Sequence, residues 1–238
     1  MKLGFVARLS IKLLAVVAVA LGAYLFLVRP WCMRWGASDS EVRQTWPGDQ
    51  LSPAPAYVAT RAVTIRAPAD LVWRWVVQIG QNQAGFYSYT WLENLFGADI
   101  HNSDKIVEEW QIRNAGDTVW LARKDRYHGQ ARQTVALVTP DRAMVLVSPA
   151  DYQTISSGGS ARGSWTFIVV TLDSRTSRLI LRSRAGPTVN IGQKAFAYLL
   201  FDPAHFIMER KMMLGIKQRS EECMRWMTLY GTPACPGN

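Results

Sequence analysis

The stretch Asp99-Ile100-His101-Asn102-Ser103-Asp104 sets an imidazole within three residues of two carboxylates, and Glu108 and Glu109 follow closely. An aspartate beside a histidine can orient the ring and tune its pKa, so His101 and Asp104 are the candidates for general acid–base work or a loose metal site. Asn102, Ser103 and Asp104 equally favour turns and helix starts, which is the plainer use of such a loop. Just upstream, Gly85-Phe86-Tyr87-Ser88-Tyr89-Thr90-Trp91 concentrates aromatics and hydroxyls beside a glycine. That composition suits the mouth of an apolar pocket with a few orienting hydrogen bonds, or aromatics that seal a core.

Gln78, Tyr87, Tyr89 and Trp91 are therefore candidate ligand contacts. Met208 and Met212 join them as soft, adaptable surface late in the chain. Arg219 falls on the apolar face of the same periodic segment, where it either snorkels or offers a cation to an anionic head group. Cys32, Cys223 and Cys235 show neither paired metal-ligand spacing nor Cys-x-x-Cys, so no metal is expected and unpaired thiols are the default. Cys223 and Cys235 could pair in an exported domain. No GxSxG, Walker, dinucleotide-binding or HExxH pattern occurs, and no cofactor is called for.

Several elements must position these residues. Val58 to Ile65 alternates as a half-buried strand. Pro68 then opens an amphipathic helix whose apolar positions run from Leu71 to Ile79 and which Gly80 ends. A short helix is expected over residues 88–96. From 117 to 184 come successive β-type runs, with hairpin connections at 156–160 and 173–176, so the sheet is antiparallel. Asp202 and Pro203 read as the cap and first turn of a final helix of about 28 residues, stopped by Gly231 and Pro233. Ala195 to Phe201, just before it, could act as a lid or touch a bilayer. Packing over the sheet's end is its plainer use.

Before all this lies Leu13 to Val28, an uncharged apolar run. Extended back to Leu9 it gives about 20 residues, enough to cross roughly 30 Å of hydrocarbon. Lys2, Arg8 and Lys12 precede it and Arg29, Trp31, Arg34 and Trp35 follow, as interfacial anchors do. A cleaved signal ending at Ala18-Val19-Ala20 would leave eight further apolar residues beyond the cut, so a single-pass anchor is the favoured reading. The cation bias places the domain on the extracytoplasmic side. The chain has a formal net charge of +9, and its first acidic residue is Asp39. The preceding residues hold five cations, leaving 22 basic against 18 acidic residues beyond. The remaining cations are scattered, so no nucleic-acid partner is expected. The expected units are an anchor at 1–30, a linker or wrapping arm at 31–57, one domain at 58–231 and a tail at 232–238.

Three segments carry a resemblance. GFYSYTWLENLFGADIHNSDKIVEEWQ (85–111), GDTVWLA (116–122) and DPAHFIMERKMMLGIK (202–217) resemble membrane-tethered bacterial members of the SRPBCC, or START-like, superfamily. The resemblance spans about Val58 to Tyr230. It implies an α+β helix-grip fold, a curved antiparallel sheet around a long C-terminal helix, here preceded by one transmembrane helix. That superfamily includes lipid-transfer domains, polyketide cyclases and plant pollen allergens. The implied partners are a hydrophobic small molecule or lipid and the bilayer itself. A cyclase-, dehydratase- or hydrolase-type enzyme in the same cavity and a non-catalytic membrane scaffold remain the alternatives, because the fold carries no shared catalytic signature.

Overall fold

The computed structural model describes residues 4–188, 190–232 and 235. Lys2, Pro233 and most of the expected tail lie outside them. The chain starts as one helical rod: α1 (Phe5–Ala23), a wide turn (Tyr24–Val28) and α2 (Arg29–Met33). The wide turn has a local cause. Pro30 has no N–H, and its ring would strike the carbonyl four residues back, so the helix loosens there instead of breaking. Leu9–Met33 is 25 residues, long and apolar enough to cross a membrane, and its apolar side chains stand exposed.

The segment after the rod is an ordered arm. Ser38 and Glu41 form a reciprocal capping box that starts α3 (Asp39–Arg43). From there the arm crosses the sheet's outer face. Trp46 packs with Ala62, Ile168 and Ile180, and Leu51 with Val145, Val147 and Ala161. Glu41 accepts from Arg178 at 2.7 Å, while Asp49 accepts from Arg182 at 2.9 Å and lies 3.0 Å from Arg184. These arginines sit at every second or fourth position of one strand, so the pleat aims them all at the arm.

The sheet runs β1 (Tyr57–Ile65), β2 (Thr118–Trp120), β3 (Arg132–Thr139), β4 (Ala143–Val147), β5 (Gly163–Asp173) and β6 (Thr176–Ala185). Its spatial order is β1-β6-β5-β4-β3-β2, antiparallel throughout. α4 (Ala69–Val77) and α5 (Thr90–Leu95) fall between β1 and β2. The Asp173–Thr176 hairpin is as expected. The connection at 156–160 is not a simple hairpin, because Ser148 caps an extra helix, α6 (Pro149–Ser156), between β4 and β5. The Ser148 side chain there accepts from the Asp151 N–H at 3.0 Å. The main core lies between the sheet's inner face (Ile65, Met144, Leu146, Phe167, Leu179, Leu181) and the helices carrying Trp75, Val76, Met212, Met213 and Ile216.

The closing helix starts earlier than its sequence suggests. Asn190 caps α7 (Ile191–Phe196), and a second wide turn (Ala197–Phe201) leads directly into α8 (Asp202–Tyr230). Asp202 is therefore not a cap. It precedes Pro203 inside a continuous helix, and the wide turn absorbs the missing N–H as it does before Pro30. Its carboxylate accepts from Arg29 at 2.8 Å, so the two pre-proline residues tie the two loosened helices together. Gly231, left-handed at φ +61°, ends α8 as expected. Cys223 is disulfide-bonded to Cys235, which corrects the default of unpaired thiols; Cys32 is free.

Candidate functional site

The loop that carries most of the sequence candidates is clasped to α8 by hydrogen bonds. Gly85, at φ +69°, turns the chain where any Cβ would stand 2.6 Å from Asn102 Oδ1. That oxygen accepts from the Tyr87 N–H at 2.7 Å, and Ser88 Oγ donates to the Met208 carbonyl at 3.0 Å. Tyr87 is buried. Its hydroxyl accepts from Gln78 Nε2 at 2.8 Å and donates to the Trp75 carbonyl at 3.1 Å, and burial pushes its pKa up. Gln78 also donates to Lys105 O and accepts from the Val107 N–H, so its amide is fully used within the protein. Gly215 lets α8 approach so closely that a Cβ there would lie 2.3 Å from the Tyr87 carbonyl oxygen.

Arg219 neither snorkels freely nor faces an open space. Its guanidinium lies 4.8 Å from the Tyr87 ring centre, donates to Ser103 O at 2.9 Å and pairs with Asp104 at 2.5 Å. The structure thus brings Gln78, Tyr87, Arg219 and Asp104 together as a clasp joining α4, the loop and α8. His101 stands apart on the surface, and Asp104 serves Arg219. The imidazole–carboxylate pairing expected for acid–base work is not formed. Met212 is core, and Tyr89 is half-buried under Lys211. Trp91 is 68% exposed on α5, outside the core.

A second polar cluster, which sequence reasoning missed, lies nearer the start of α8. Arg61 on β1 and Glu209 on α8 form an ion pair whose side chains are 1% and 2% exposed. Trp165 Nε1 donates to Glu209 at 2.7 Å, and Arg61 Nε donates to the Cys32 carbonyl at 2.8 Å. The cluster therefore abuts the rod. Aromatic rings surround it: Phe206 lies under Arg61 at 5.3 Å, Trp165 packs on Phe86 and Phe167, and the His205 ring stacks on Phe201 at 5.5 Å and meets Trp165 edge-on at 6.1 Å.

Charge and burial compete in this cluster. Burial would raise the Glu209 pKa, but Arg61, His205 and the indole outweigh it and hold the carboxylate below its usual range. Burial lowers the His205 pKa against the pull of Glu209, and raises Tyr57 to about 12. A neutral imidazole and an indole beside a satisfied ion pair can orient the polar end of an otherwise apolar molecule. The sequence signal was faint: one histidine and one glutamate, i and i+4 on a helix, facing one arginine on a distant strand.

These shifts give the domain a pH dependence. In His205 and Glu209 the unfolded state binds protons more readily, so both lose stability as pH falls, His205 first below its ordinary 6.5 and Glu209 below 4.5. Glu93 acts oppositely: burial raises its carboxyl to about 7, so its ionisation costs stability as pH rises toward 7. Subtracting the urea stability of His205→Gln from that of the native protein isolates the histidine. The difference should shift against the native protein between about pH 7 and about pH 5. A flat difference would show that burial does not hold the ring neutral.

Apart from these clusters, a polar surface cleft of about 370 Å³ is lined by Asn94, Gly97, Asp99, Arg123, Asp125 and Arg126. Arg123 and Asp125 pair across it at 2.6 Å. Among the described residues no group of histidines, cysteines and carboxylates could hold a metal ion.

No family model and no curated protein matches the chain. Solved structures do. The Zhui aromatase/cyclase from a Streptomyces species is 14% identical, with a TM-score of 0.41, over 71% of this chain and 96% of that one. A polyketide-cyclase-like protein from Corynebacterium glutamicum is 14% identical, with a TM-score of 0.34, over 74% and 95%. A self-sacrificing resistance protein from Micromonospora echinospora is 10% identical, with a TM-score of 0.40, over 68% and 96%. At these identities the likeness concerns the fold alone. The strand order β1-β6-β5-β4-β3-β2 and the long helix closing over the sheet's inner face give this chain a helix-grip fold.

Proposed function

We propose that the chain is a membrane-anchored START-like domain that binds a hydrophobic small molecule or lipid where Trp165, Phe201 and His205 meet. The observation that carries this reading is the position of the aromatic cluster. It combines apolar rings, a neutral imidazole and a buried ion pair, and it touches the end of the apolar rod through Arg61 and Cys32. A molecule leaving the bilayer along the rod meets this surface first. The Cys223–Cys235 bond supports an oxidising, extracytoplasmic compartment, in line with the cation bias around the rod.

The test is native mass spectrometry of full-length protein extracted in detergent. The native protein should retain a hydrophobic adduct, and His205→Ala should lower its occupancy several-fold. A native protein that stays empty across lipid extracts would overturn the reading in favour of the scaffold. One observation already supports that scaffold: Trp75, Tyr87, Phe167, Met144 and Met212 fill the space between sheet and helix. An enzyme working through His101 has the least support, because that side chain faces outward.

A further inference from the structure

The segment before α8 does not pack over the sheet's end, as its sequence suggested. Ile191, Phe196, Leu199, Leu200 and Phe201 are each at least half exposed, a concentration of apolar surface with no acidic residue among them. The segment lies directly beside the rod. Tyr24 Oη donates to the Tyr198 carbonyl at 2.6 Å, Arg29 pairs with Asp202, and Trp31 meets Phe206 edge-on at 5.5 Å. These contacts advance together along both chains, so the two helices run in parallel at this point.

We propose that the 196–201 segment is a second membrane contact, inserted into the same bilayer face that the rod leaves, so that the domain sits on the membrane and does not hang from a tether. The inference rests on the rod crossing the bilayer, and depth follows from the hydrogen bond. Tyr24 lies four residues before the end of the apolar run at Val28, about 6 Å along a helix rising 1.5 Å per residue. The Tyr198 carbonyl is held at that level. Phe196, Leu199, Leu200 and Phe201 all lie within a turn of Tyr198, within the 5–10 Å that interfacial helices reach.

The charges agree with this depth. The Arg29 guanidinium lies 3.7 Å from the Tyr198 ring centre and the Lys194 ammonium 5.7 Å from it. Arg29 stands at the headgroup level, and Lys194, one turn deeper, reaches toward Tyr198 as a long side chain does when it carries its charge outward from an apolar stem. Asp202, the nearest carboxylate, is neutralised by Arg29. A soluble protein partner or a second copy would cover the same apolar side chains, yet neither accounts for a patch fixed to the membrane end of an apolar rod. Because Phe201 stacks on His205, the proposed ligand surface would open onto the bilayer itself.

The test uses full-length protein with Cys32→Ser and the disulfide intact. Single cysteines replacing Leu14, Leu200 or Leu172 carry an environment-sensitive fluorophore in phosphatidylethanolamine–phosphatidylglycerol vesicles. Leu172 beside the β5–β6 hairpin tip is the control, since the paired strands β5 and β6, 11 and 10 residues long, place it about 30 Å from the proposed contact. Quenchers sit on lipids either near the headgroup or near the bilayer centre. The position-14 probe should respond to the deep quencher, the position-200 probe should be quenched several-fold more than the control by the shallow one, and the control should not respond. A quenched position 14 with position 200 behaving like the control overturns this inference alone. So does a position-200 probe shielded from water yet insensitive to lipid quencher, which would indicate a protein neighbour. An unquenched position 14 overturns the anchor reading and this inference with it.

Discussion

Replacing Glu209 with alanine is expected to destabilise the domain by about 3–5 kcal/mol, the cost of removing one partner from a buried ion pair. The magnitude follows from what is left behind. Arg61 would keep its hydrogen bond to the Cys32 carbonyl but lose its counter-charge at 1% side-chain exposure, and the Trp165 indole would lose its acceptor. Neither group can rotate to water without disturbing β1 or the aromatic cluster. Removing both charges together should cost much less. Arg61→Met with Glu209→Leu fills similar volume without charge, so the double variant should recover most of the loss in urea unfolding. If Glu209→Ala stays within about 1 kcal/mol of the native protein, the pair is solvated and the cluster is not the buried site described.

The elements were legible where local rules act alone. Alternation marked β1, the 3–4 spacing after Pro68 marked α4, and Gly231 marked the end of α8. Errors arose where two segments distant in sequence meet. Asp202-Pro203 has the local chemistry of a helix start, yet the chain is already helical there. The helix continues through because Arg29 takes the carboxylate and a wide turn accommodates the proline. Ala195 to Phe201 suggested packing over the sheet's end, but the segment lies against the rod instead and leaves Phe196, Leu199, Leu200 and Phe201 exposed.

The site was less legible than the fold, for a similar reason. Gln78, Tyr87, Asp104 and Arg219 were singled out one at a time, and they do meet, but their polar atoms are spent on one another. Side-chain type alone does not separate a group that orients a ligand from one that locks a loop. The Arg61–Glu209 pair left almost no local trace, since 148 residues separate its partners. His205 gains its character only from Phe201 and Trp165 around it.

Tyr87 separates a filled interior from an open one. Tyr87→Ala is expected to cost about 3–5 kcal/mol, the usual range for deleting a fully buried aromatic ring that its surroundings cannot collapse to replace. The surroundings here are stiff: Trp75 meets the ring edge-on at 5.8 Å, Arg219 covers its face, and Gly215 already brings α8 against the Tyr87 backbone. Tyr87→Phe keeps that packing and removes the hydroxyl, which leaves the Trp75 carbonyl without its side-chain donor, whereas Gln78 Nε2 retains Lys105 O. Its cost should be about 1–3 kcal/mol, the penalty for an unmet buried polar group. Chemical denaturation of both variants in detergent checks the pair. A side chain lining an open cavity would lose little stability on truncation and much adduct in the mass spectrum. A large stability loss for Tyr87→Ala, with adduct occupancy unchanged in Tyr87→Phe, would place any ligand at the Trp165–His205 end and assign Tyr87 to the core.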